Sequence, residues 1–145
     1  MQAARLARNF THTVIDTGQR PQQVDLKALA EGCDLLVVPA VPASLDTDGL
    51  VLTLQALQRL GKVSYRVLLT KVPPPPEPEG PQLRADLVTQ GIPLFTVDIP
   101  RLKAFEKASA AGVIVGEVDD ARAKRAWEAY AAAGREMVSD YGRTE

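Results

Sequence analysis

Apolar residues along this chain keep two rhythms, and the alternation between them sets the expected fold. Continuous apolar runs bounded by turn residues read as strands buried on both faces: "DLLVVPA" at 34–40, "YRVLLTKV" at 65–72 and "IPLFTVDIP" at 92–100. A shorter β-branched run, His12 to Asp16, reads as a further strand ending in an aspartate. Between them the spacing becomes helical. Val24, Leu26, Leu29 and Ala30 predict a helix from Val24 to Glu31 that stops at Gly32. Leu50, Leu54, Leu57 and Leu60 predict another, capped by Asp46 or Asp48 and ended by Gly61. "LRADLVTQG" is a short helix after the rigid loop "PPPPEPEGP", and "RLKAFEKASAAG" and "DARAKRAWEAYAAAGREMV" are two more, split by "VIVGEVD". Met1 to Arg8 reads as the end of a short helix. The order β-α-β-α-β-α-β-α-α predicts an α/β fold, a mostly parallel sheet with helices on both faces. Ligands gather at the C-terminal ends of such strands, which here carry Asp16, Pro39-Ala40, Thr70-Lys71 and Ile99-Pro100-Arg101.

Composition narrows the function classes. The 145 residues suffice for one domain with a real core. A net charge of -1 points to neither nucleic acid nor an acidic partner, and the stretch from Arg101 onward balances eight basic against eight acidic residues. The single cysteine, Cys33, excludes an internal disulfide and a Cys/His zinc cluster; it reads as a small buried hydrophobe. His12, the sole histidine, is assigned no chemistry. No apolar run approaches membrane-spanning length and no hydrophobic signal core opens the chain, so a cytoplasmic protein without membrane association is expected.

A strand ending in aspartate is a usual place to hold a metal-bound nucleotide, which raises the question of a phosphate loop. Such a loop needs converging glycine N–H groups, a Lys and a Ser/Thr, placed after a strand and before a helix. "GKVS", Gly61 to Ser64, has Ala56 where the first glycine should be and Val63 after the lysine, and it follows a helix. "GVIVG", Gly112 to Gly116, has no following lysine. Neither is a phosphate cradle.

Five stretches in order, "HTVIDTGQRP", "CDLLVVPAVPASLDTDGL", "YRVLLTKVPPPP", "LFTVDIPRLKAFEKASAAGVIVGEVD" and "AKRAWEAYAAAGREM", resemble the C-terminal two-thirds of ParA/MinD-type partition ATPases, the deviant Walker-A P-loop family. The resemblance implies a truncated P-loop NTPase-like, Rossmann-like three-layer fold without the Walker-A strand, loop and helix, and a lineage in chromosome or plasmid segregation. It implies ATP and Mg as cofactors. Asp16 matches the aspartate that holds Mg²⁺ through water, and Thr17 and Gly18 match the switch that senses the γ-phosphate. Thr70 and Lys71 match the strand end bordering the base, and Pro100 and Arg101 match the step whose backbone lines the adenine pocket. Gln19 and Arg20 are bulkier than the residues usual after the switch aspartate. Each position also has a plainer reading: Asp16 as the cap of a turn, Lys71 and Arg101 as solvated charges. The resemblance further implies self-association or pairing with an intact ParA-like subunit, and weak nonspecific DNA binding through Arg122, Lys124, Arg125 and Arg135. Interleaved carboxylates make an ordinary solvated helix face the competing reading of those four.

Two functions follow. One is a partition-ATPase piece that does not hydrolyse ATP as an isolated chain; the alternative is a non-enzymatic interaction module acting on an intact partner. One expectation concerns the sheet. In the resembled family the phosphate-loop strand separates the strand ending at Asp16 from "LLVVPA". Without it, Val14–Ile15 is expected to pair directly with Leu36–Val38; otherwise the open edges recruit another chain.

Overall fold

The computed structural model describes residues 10–17 and 23–141, with the side chains of 23–25, 44–48 and 141 left aside. Among the described residues, five α-helices and a small parallel sheet form a mixed α/β fold, consistent with a truncated Rossmann-like architecture. In chain order they are α1 (Gln23–Gly32), β1 (Leu36–Ala40), α2 (Ser44–Arg59), β2 (Tyr65–Leu69), α3 (Glu79–Thr89), α4 (Lys103–Ala111) and α5 (Ala123–Tyr141), with a 3₁₀ turn at Val115–Glu117. The expected helix over Met1 to Arg8 lies outside the described residues.

The strands β1 and β2 run parallel, from Leu36 opposite Tyr65 to Ala40 opposite Leu69. Side chains alternate across the sheet, so each face builds its own core. Val38, Ala40, Val67 and Leu69 meet α2 through Leu50, Leu54 and Leu57, and α3 through Leu83 and Leu87. Leu68 faces the other way and joins Phe95, Ile99 and Ala133 of α5. Ala104, Ala108 and Ala126 let α4 and α5 approach closely, with Val115 filling the space between them.

Helix boundaries follow local chemistry. The helix α2 starts at Ser44 with no side-chain cap bond, so Asp46 and Asp48 lie inside it rather than capping it. Gly61, at φ +83, ends it in a left-handed conformation that costs glycine little. The helix α3 begins four residues before the predicted stretch: Gln82 N–H donates to Pro78 O, and Pro81 sits in the first turn, where its missing N–H is not needed. Gly80 is required there, since a Cβ would lie 2.5 Å from Val72 Cγ1.

Two expected strands are corrected. Residues 12–17 are exposed and belong to no strand, they pair with no other described residue, and Val14 is 93% exposed. The predicted pairing of Val14–Ile15 with Leu36–Val38 is absent, so the sheet does not close over that edge. An extended β-branched segment becomes a strand only when a ladder partner and a covering face are available.

The stretch 92–100 forms two isolated parallel bridges to the β2 side, Val67 with Leu94 and Val72 with Pro100. Val67 O accepts from Phe95 N–H at 3.0 Å, so regular pairing would bring Val97 N–H to Leu69 O; instead Ile99 N–H donates there, at 2.9 Å. The segment therefore bulges by two residues around Thr96–Asp98. The opposite strand compensates at Lys71, whose φ of +51 places it in the left-handed region uncommon for a non-glycine.

Candidate functional site

The C-terminal edge of the sheet gathers four of the residues singled out by sequence. Thr70 leaves β2 with its N–H donating to Ala40 O at 2.8 Å. The bridge between Val72 and Pro100, with Arg101 N–H donating to Val72 O at 2.8 Å, lays Pro100–Arg101 beside Thr70–Lys71. Lys71 is exposed in its left-handed backbone. The Arg101 guanidinium pairs with Glu77 at 2.8 Å, across the proline loop. Both partners of that pair are open to solvent, so it contributes little stability. Sequence alone does not single out Glu77, one of two carboxylates among the prolines, whose partner lies 24 residues on.

The remaining predicted residues have no described bond to this edge. Asp16 and Thr17 are exposed, and no hydrogen bond or ion pair ties them to it among the described residues. Gly18 lies outside the described residues. The described residues also contain no group of three or more His, Cys, Asp or Glu side chains able to hold a metal ion. Asp16 alone is a poor donor set for Mg²⁺, which needs several oxygens in octahedral array.

A second polar cluster joins α5 to the sheet. Glu136 accepts from Arg66 Nη1 at 2.7 Å, from Thr96 N–H at 3.0 Å and from Thr96 Oγ1 at 2.7 Å. Arg66 also reaches Asp140 at 2.6 Å and lies over the Phe95 ring, 5.9 Å from its centroid. The register explains the cluster: Phe95 N–H bonds to Val67 O, so the Thr96 N–H points away from β2, and the Glu136 carboxylate takes it up. A shallow groove of about 650 Å³ runs along these residues. Sequence separations of 40 and 70 residues hid this cluster from any periodic reading.

Three titrating groups are displaced among the described residues, Tyr65 upward by burial alone. Burial, with the neighbouring Asp34 charge, pushes the Cys33 thiol up, which supports its reading as an inert hydrophobe. The Lys107 ammonium, with the Arg122 N–H behind it, holds the Asp120 carboxyl below its usual range at the entry to α5. A depressed folded pKa gives stability that is present above the unfolded pKa and lost as pH falls through the folded one. Asp120→Asn is therefore expected to be less stable than the native chain at neutral pH and to converge with it in acid. Urea midpoints at both pH values check this; a gap that widens in acid would reverse the sign.

Of the basic residues considered for DNA, Arg122, Lys124 and Arg125 are exposed, and Arg135 lies 3.7 Å from Glu128. No described helix is long and apolar enough to cross a membrane.

No family model matches the chain. It is 29% identical, over 141 residues, to the Maintenance of carboxysome distribution protein A of Gloeobacter kilaueensis, an alignment covering 97% of this chain and 65% of the relative. The chain thus spans less than two thirds of that relative's length. These comparisons correct the resemblance to partition ATPases: no family model carries it, and the relative is named for carboxysome distribution, not for chromosomes or plasmids. What the comparison supports is a likeness to a protein named for carboxysome distribution.

Proposed function

We infer that these 145 residues form the base-side portion of a positioning protein akin to the carboxysome distribution protein, acting through binding and not through ATP hydrolysis of their own. The observation that carries this is the Val72–Pro100 bridge, which sets Thr70–Lys71 and Pro100–Arg101 side by side at the C-terminal ends of parallel strands. Ligands collect at such edges because consecutive strand ends leave a crevice there. Phosphoryl transfer needs positioned charge around the γ-phosphate and its metal. The described residues present no group of three or more His, Cys, Asp or Glu side chains, and Asp16 has no described bond to the edge. Distribution of a carboxysome-type cargo is the role suggested by the relative's name.

Mg-ATP titration followed by amide NMR tests the reading. The expected result is weak binding without turnover, with shifts concentrated at Thr70, Lys71 and Arg101. Micromolar affinity abolished by Asp16→Ala would overturn it, because the metal site would then be intact. Shifts confined to other surfaces would remove the nucleotide from this edge and leave the interaction-module reading.

A further inference from the structure

The Glu77–Arg101 pair stands where the fold has little need of it. Glu77 accepts from Arg101 Nη2 through both carboxylate oxygens, at 2.8 and 3.1 Å. Both side chains stay open to water, so the pair adds little to folding. Its position is the C-terminal edge of the sheet. Val72 N–H donates to Ile99 O at 3.0 Å, and Arg101 N–H donates to Val72 O at 2.8 Å. The pair thus brings a carboxylate to the edge where Thr70–Lys71 and Pro100–Arg101 lie side by side.

The loop that carries Glu77 is stiff. Proline fixes φ at every position from 73 to 78 except Glu77 itself. Pro73 is buried, Glu77 N–H donates to Pro74 O at 3.1 Å, and Gly80 lies against Val72. Holding the carboxylate in place for a ligand therefore costs little further entropy. Arg101 is the longer and more exposed partner, 55% against 42% at the side chain. The carboxylate is the fixed group and the guanidinium the movable one. A carboxylate has about four lone-pair sites, so the Arg101 contact leaves Glu77 able to accept from a ligand as well.

We propose that Glu77 is the specificity-determining residue of this edge, accepting from the exocyclic amino group of an adenine-type base and rejecting a base with a carbonyl at that position. The proposal rests on the base-side reading above. An ionised carboxylate accepts hydrogen bonds and donates none. An amino group gives it a charge-assisted bond. A carbonyl oxygen in the same place meets a negative charge with no proton between them. Sites discriminate strongly at such a position because the wrong ligand leaves polar groups unpaired. Arg101 orients the carboxylate from its other side.

Amide NMR titration of the full chain with AMP and with IMP tests this. The two ligands share sugar and phosphate; IMP has a carbonyl where AMP has the amino group. The expected result is that both shift Thr70, Lys71 and Arg101, with AMP bound about tenfold tighter, the effect of one charge-assisted hydrogen bond partly exposed to water. Glu77→Gln is expected to bring the two affinities together, since its amide can turn to donate to the carbonyl. Glu79→Gln makes the same change of charge at an exposed residue two positions on and is expected to keep the native preference. Equal affinities in the native chain, or a preference that survives Glu77→Gln, overturn the proposal while leaving the base-side reading intact. A preference for IMP assigns the discrimination to the Lys71 and Arg101 donors and overturns it too, as does loss of the preference in Glu79→Gln, which would make it a general effect of charge. If neither nucleotide shifts this edge, the base-side reading falls and the role of Glu77 falls with it.

Discussion

Phe95→Ala is expected to cost about 3–5 kcal/mol of unfolding free energy, the range for deleting a large buried aromatic side chain. Phe95 is fully buried, 0% exposed, in the core between the sheet and α5, against Leu68, Ile99 and Ala133. Its backbone continues the ladder through Phe95 N–H to Val67 O, so the side chain and the bridge that seats it are held at one place. Of the α5 neighbours, Ala129 and Ala133 cannot extend into a cavity of that size, and Met137 can fill only part of it. The Arg66 guanidinium above the ring would lose its aromatic face too. A domain of this size holds about 5–15 kcal/mol in total, so the variant is expected to be marginal at 25 °C. Phe95→Leu, which conserves most of the volume, is expected to cost far less. Urea unfolding followed by circular dichroism measures both. A loss under about 1 kcal/mol for the alanine variant would mean that this side of the sheet is not a cooperative core.

Elements whose burial is local were legible in the sequence. The Leu50–Leu60 spacing and Gly61 give α2 and its end because helix periodicity and a left-handed stop are properties of a short window. The apolar runs of β1 and β2 announced a parallel sheet, and the juxtaposition of Thr70–Lys71 with Pro100–Arg101 followed because these pairs end neighbouring strands. The misses share a different cause. His12–Asp16 has strand composition, yet pairing depends on a partner that composition does not reveal. In "IPLFTVDIP" nothing marks two extra residues, since a bulge is set by what the neighbouring strand and α5 offer rather than by the bulged residues. Glu136 sits on a helix face with ordinary spacing; its importance arises from a backbone N–H 40 residues earlier that points away from β2.

That dependence makes Glu136→Ala the second large effect. The substitution removes the acceptor for Arg66 Nη1, for the Thr96 N–H and for Thr96 Oγ1. Arg66 and Glu136 are 23% and 14% exposed at the side chain, so water only partly replaces what is lost. Hydrogen bonds to charged groups contribute about 1.5–3 kcal/mol each at most, but Arg66 keeps Asp140 at 2.6 Å and exposed Thr96 can turn to solvent. A net cost of about 2–3 kcal/mol follows. Glu136→Gln retains one carbonyl oxygen for the Thr96 N–H and should lose less. In a double-mutant cycle with Arg66→Met, the coupling is expected near 1–2 kcal/mol, within the range for residues sharing one network. Stability alone would not separate this network from general packing of α5, and the exchange rate of the Thr96 amide does. In the native chain the carboxylate protects that amide although the residue is exposed; in Glu136→Ala it should exchange as fast as an open loop, while the Phe95 amide, bonded to Val67 O, stays protected. If the Thr96 amide keeps its protection without Glu136, the bulge is held by the strands themselves and the carboxylate is merely a surface contact.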